Sequence, residues 1–182
     1  SRCRPGQRAY WEIEIMPDDE GFEDFFPQYG FVSEGFYRIK GPSYGSKGQA
    51  IGVGDDDGWA VDGIRGARWN NGSEGGYDVK WKVGDIVGLA IDLVKGQFIT
   101  SLNGSYAPPH GLQYEIDLEG PAVNGVFGAF SGILGTVRWN VGEEGFAHPP
   151  PDEGEWGRFA DFERERWGDG RGLESWMRRK SG

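Results

Sequence analysis

The stretch VGDIVGLAIDLVKGQFITSLNG, residues 83–104, decides the fold. Two strand-like runs, DIVGLAIDL (85–93) and QFITSLNG (97–104), flank Val94, Lys95 and Gly96. Such a spacing reads as a hairpin whose glycine takes the left-handed backbone conformation that a Cβ disfavours. Asn103-Gly104 marks the next reversal. Working outward, YWEIEI (10–15) places Trp11, Ile13 and Ile15 on one face and Tyr10, Glu12 and Glu14 on the other. YGFVS (29–33) is a second short strand, and PDDEGFEDFFPQ (17–28) between them reads as a long hairpin loop. VFGAFSG (126–132) and TVRWNVG (136–142) read as another pair. Short alternating strands, turn signals and no crossover helices predict an all-β chain, an antiparallel two-sheet β-sandwich over residues 1–151. The pattern stops at Pro149-Pro150-Pro151. Residues 152–182 read as a charged tail. Asp152 and Glu155 at capping-box spacing, with Trp156, Phe159, Ala160 and Trp167 in one weak stripe, predict a short helix that frays at Gly168, Gly170 and Gly172.

Composition limits the partners. The chain has 182 residues, enough for one domain with its own core, and 33 glycines without a three-residue period, as suits a fold of many tight turns. Its formal net charge of -10 repels nucleic-acid backbones and anionic membranes and favours neutral or basic protein surfaces. Cys3 has no second cysteine to pair with, which points to an intracellular, cytoplasmic setting or to a domain indifferent to its redox surroundings. The polar start without an initiator Met reads as an excerpt of a longer protein, and no run is long and apolar enough to span a bilayer.

The chemical motifs are few. GVGDDDGWAVDG (52–63) is no phosphate cradle, because aspartates follow the glycines where free amides are needed. It is no calcium loop either, since Asp55, Asp56 and Asp57 are adjacent and no glutamate closes the set; a solvated acidic turn is expected. Glu12 and Glu14 share a strand face with Cα atoms ~7 Å apart, near the separation of paired glycosidase carboxylates. They carry the rival reading, a glycan-binding or glycoside-hydrolysing sandwich. His110 and His148 sit in proline-flanked loops, so a histidine-based triad would need those loops to converge, and one cysteine with two histidines does not build a usual zinc site. No catalytic residue, metal or cofactor is expected. The sequons at Asn71 and Asn103 coincide with Asn-Gly turns and read as turns.

Taken together, YWEIEI, YGFVS, GVGDDDGWAVDG running into Arg68-Trp69-Asn70-Asn71-Gly72, residues 83–104, VFGAFSG and TVRWNVGEEGFAHPPP resemble a SPRY domain over residues 4–151. The W-x-x-D-G turn combined with GDxxGxxxDLxxGxxxxSLNG is the specific part. The resemblance implies a non-catalytic module that binds a peptide or protein through loops at one edge of the sandwich, within a larger protein. It implies that Trp59, Asp62 and Gly63 organise the turn, with Asp62 accepting amide hydrogen bonds and Gly63 allowing the reversal. Carried over by position, the partner-binding residues are Trp69 with Arg65, Arg68, Asn70 and Asn71 around it, and Phe130, Ser131 and Gly132. Asp55, Asp56 and Asp57 form an acidic rim, which favours a partner with basic residues. Gly58 stands where the family usually has serine, and the loop over residues 17–28 is long.

Overall fold

The computed structural model describes residues 2–17, 28–36, 51, 56–74, 76–131, 136–143 and 145–158. In chain order the strands are β1 (Arg2–Cys3), β2 (Arg8–Ile15), β3 (Gln28–Ser33), β4 (Gly58–Asp62), β5 (Ala67–Trp69), β6 (Ser73–Glu74), β7 (Ile86–Asp92), β8 (Gln97–Leu102), β9 (Gly111–Glu115), β10 (Val126–Ser131), β11 (Val137–Asn140) and β12 (Gly157–Arg158). They form two antiparallel sheets. The first runs β1-β10-β3-β4-β5-β6 and the second β11-β2-β7-β8-β9, with β12 parallel to β2 at Ala9 and Tyr10. The predicted sandwich is what forms, and no helix among the described residues is long and apolar enough to cross a membrane.

The deciding hairpin pairs from Val87↔Leu102 to Asp92↔Gln97. Asp92 Oδ1 accepts the amides of Val94 and Lys95 at 2.8 and 2.9 Å, and Gly96 sits at φ +68°. The same device recurs between β4 and β5. Asp62 Oδ1 accepts the amides of Ile64 and Arg65, both at 2.9 Å, and Gly66 sits at φ +67°. One five-residue pattern, Asp-x-x-Lys/Arg-Gly, thus closes a hairpin in each sheet. Asp62 does what was expected of it, but Gly63 does not make the reversal; Gly66 does. Gly63 is needed for close approach, because a Cβ there would stand 1.9 Å from the Trp81 ring. Asn71 and Asn103 are left-handed at φ 50° and 49°, in keeping with the turn reading of both sequons.

Two expected pairings do not form. β2 and β3 lie in different sheets, so residues 17–28 are not a hairpin loop; β2 pairs with β7 and β11, and β3 with β4 and β10. Likewise β10 pairs with β1 and β3 whereas β11 pairs with β2. Alternation fixes which side chains face inward; it carries no information on which strand is the neighbour.

Trp11, Ile13, Ile15, Leu89, Ile91 and Phe98 of the second sheet meet Tyr29, Phe31, Trp59 and Val61 of the first in one buried core. Aromatic edges interlock there: Trp11 with Phe31 at 6.4 Å and Phe31 with Phe98 at 5.1 Å between ring centroids. Cys3 is sealed in this core, and burial, reinforced by Asp92, pushes its thiol up to about 12. The outer face of the first sheet carries a second cluster, Val32, Ile51, Ala60 and Phe127, with Phe36, Trp69 and Ala129 packed against it. On the outer face of the second sheet lie residues 145–158. The helix expected from Asp152 does not begin there. Asp152 Oδ1 accepts the Gly154 amide and the Trp156 indole at 2.9 and 2.8 Å, and the chain then extends into β12. The remainder of the expected helix falls outside the described residues.

Candidate interaction surface

Cross-strand register places each expected binding residue. Ala129, Gly30, Ala60 and Trp69 face each other in one row across β10, β3, β4 and β5, with Ala60 inside the outer cluster. Trp69 therefore lies on the outer face of the first sheet, half-buried. Its indole Nε1 is enclosed with no acceptor among the described residues. The Arg65 guanidinium lies over the indole, 4.5 Å from the ring, and is itself held by the Asp62 carboxylate through Nε. Asp62 is fully buried, so the turn that closes β4 to β5 also sets the arginine on the tryptophan.

Asn70 Nδ2 donates to the carbonyl of Gly58 at 2.9 Å and to that of Asp56 at 3.4 Å, tying the start of β4 to the end of β5. Asn71 is exposed in the following turn. Of the aspartate triplet, Asp56 is exposed, Asp57 is buried against the Ser33 hydroxyl, and Asp55 lies outside the described residues. Trp69, Arg65, Asn70, Asn71 and Asp56 thus form one neighbourhood. Arg68 points the other way. Its Nη1 donates to the Gln113 carbonyl at 2.8 Å and its guanidinium lies 5.4 Å from the Tyr114 ring, joining β5 to β9 across the two sheets.

The second expected group is divided between the two faces of the first sheet. Phe130 shares a row with Tyr29, Val61 and Arg68, the inward side of the first sheet, three strands from Trp69 or about 14 Å. It is 63% exposed and meets Trp139, itself 38% exposed, at 5.1 Å. Ser131, in phase with Ala129, is on the outer face, donating to Gln28 Oε1 at 2.8 Å and accepting the Ile51 amide at 3.4 Å, and Gly132 lies outside the described residues. The exposure of Trp139 was not foreseen. Its phase with Val137 marks an inward residue, and only the placement of β11 at the end of the second sheet leaves its outer ring face open. Its inner face is stacked on Trp11 at 4.6 Å.

Glu12 and Glu14 do not form a catalytic pair. Glu12 is 2% exposed, and its oxygens accept the amides of Ala147 and His148, both at 2.8 Å, and the Tyr10 hydroxyl and Asn140 Nδ2, both at 3.2 Å. Glu14 is engaged by Arg138 at 2.8 Å. Burial raises Tyr10, Tyr29 and Tyr77, the last to about 12. His110, half-buried beside Tyr77, is lowered by burial.

No family model matches the sequence. Among solved structures the chain is similar to the SPRY domain of human HERC1, with a TM-score of 0.54 and 12% identity over 77% of each chain. At that identity the likeness concerns the path of the backbone. Two antiparallel sheets in this order, with a W-x-x-D-G turn at the end of β4 and the long hairpin of β7 and β8, give the chain the fold of a SPRY domain.

Proposed function

We infer that the chain is a non-catalytic recognition module that binds a protein or peptide on the Trp69 side of the first sheet. The observation that carries this reading is the half-buried Trp69, capped by the Arg65 guanidinium 4.5 Å from its ring on the outer face of the first sheet. Trp11, Trp59 and Trp81 are buried in the core, whereas Trp69 is left partly open between Arg65 on one side and Asn70, Asn71 and Asp56 on the other. An aromatic centre within a polar rim is the anatomy of a recognition patch. With Arg65 neutralised by Asp62, the exposed Asp56 and the net charge of -10 leave this side acidic, and a partner segment with basic residues complements it. Phe130 lies in the inward row and is not part of the contact proposed; Ser131 is on the outer face but held by Gln28 and Ile51 at its far end. An intracellular setting accords with the unpaired Cys3, and an adaptor-type role within a larger protein rests on the SPRY-like fold.

The test is a peptide-display screen with the wild type and Trp69→Ala in parallel, repeated at rising salt. Species captured by the wild type and lost by Trp69→Ala, enriched in Lys and Arg and weakened by salt, support the reading. Capture that is indifferent to Trp69 refutes it. The glycan reading has no observation in its favour, since the oxygens of Glu12 are already filled by protein donors.

A further inference from the structure

We propose that residues 145–158 are a detachable clasp on the outer face of the second sheet, locked by the Glu12 carboxylate, which opens while the sandwich stays folded. The inference stands apart from the partner reading, because the clasp lies on the opposite sheet.

The asymmetry of its attachments carries it. Between Gly145 and Arg158 no residue is fully buried. The apolar anchors are Phe146, edge-on to Tyr10 at 4.6 Å, and Trp156, lying 5.4 Å from the Arg8 guanidinium. Ladder pairing is confined to the two residues of β12. The remaining attachment is polar and converges on one side chain. Glu12 takes the consecutive amides of Ala147 and His148, and Asn140 Nδ2 bridges the same carboxylate to the Gly145 carbonyl at 2.6 Å. Tyr106 adds a hydroxyl donated to the Pro149 carbonyl at 2.8 Å, and Arg8 reaches the exposed Asp152 at 3.5 Å. By contrast β7 and β8 are sealed by the central core on their inner side. A segment with few buried apolar contacts and mostly polar ties opens at lower free energy than the core it rests on. Its opening bares Tyr10, Glu12 and the strand edge of Ala9 and Tyr10, a surface the closed clasp covers.

The lock is a cluster of charge-assisted bonds, so weakening it acts on the clasp first. Hydrogen exchange of the full chain reads this amide by amide. In the wild type, Ala147 and His148 exchange faster than Leu89 and Ala90 of β7. Glu12→Gln, which exchanges one charged acceptor oxygen for an amide donor, speeds Ala147 and His148 by about ten-fold or more and leaves β7 and β8 unchanged. Tyr106→Phe, which deletes a single hydroxyl, gives a smaller acceleration confined to residues 145–158. Equal exchange rates in clasp and β7, a uniform acceleration of both, a Glu12→Gln chain that loses its fold altogether, or variants that leave Ala147 and His148 unaltered would each overturn the proposal.

Discussion

Replacing Asp62 by alanine tests the turn that carries the Trp69 surface. The carboxylate is fully buried and serves three donors, the amides of Ile64 and Arg65 at 2.9 Å each and Arg65 Nε. Hydrogen bonds to a charged acceptor contribute about 1.5–3 kcal/mol apiece. The Arg65 side chain is 35% exposed, so its share falls toward the ~1 kcal/mol or less of a solvent-screened pair. The two amides are only part-buried and recover some water. The net expectation for Asp62→Ala is a loss of about 3–4 kcal/mol, most of it from the two stranded amides. Asp62→Asn keeps a neutral acceptor for the amides and is expected to cost about 1–2 kcal/mol. Asp92→Ala is the internal control. It strips the matching amides of Val94 and Lys95 and leaves Arg8, 3.0 Å away and less exposed than Arg65, with the exposed Asp152 at 3.5 Å in place of its buried counter-charge. It should therefore cost at least as much as Asp62→Ala. Urea unfolding followed by tryptophan fluorescence measures all three. An Asp62→Ala chain within 1 kcal/mol of wild type, or an Asn variant as unstable as the Ala variant, refutes the assignment of the turn to that carboxylate.

Other outcomes follow from single contacts. Gly63→Ala forces a Cβ onto the Trp81 ring, whose indole is packed and hydrogen-bonded to Tyr77, and should lower stability by about 1–3 kcal/mol in the same urea assay. Cys3 has a folded pKa raised from 9.0 to about 12, so its contribution is complete below pH 9 and declines as pH rises from 9 to 12. Wild type should lose stability relative to Cys3→Ala over that window by about 1.4 kcal/mol per pH unit, and native Cys3 should resist alkylation at pH 8. Arg138→Ala removes a surface partner of Glu14 and should change stability by less than ~1 kcal/mol, which contrasts with the buried Asp62 and Asp92 pairs.

The sandwich was legible because its signals are local. Alternation in YWEIEI and the glycine after Val94-Lys95 report inward faces and a turn, and both depend only on neighbouring residues. Strand partners are not local. The sequence order β2, β3 and β10, β11 suggested hairpins, and the structure sends each member to a different sheet. The same limit separated Trp69 from Phe130. One face or two depends on the register of four strands, which no motif spells out. Glu12 shows the limit most sharply. Its alternation with Glu14 marks a solvated face, and only the return of residues 145–158 over that face buries it. Asp62 was readable, since an aspartate before a glycine-rich turn has amides within reach. The Arg65 guanidinium over Trp69 was not, because the contact spans the turn and depends on which way each side chain leaves β5.

The most direct test of the recognition surface is a titration of the indole N–H resonances with a peptide selected by the display screen. The Trp69 signal is expected to shift strongly as a partner covers the open part of its ring, while those of Trp11, Trp59 and Trp139 stay in place. A selected peptide that moves Trp139 and leaves Trp69 unmoved would contradict it and transfer the surface to the Phe130 edge.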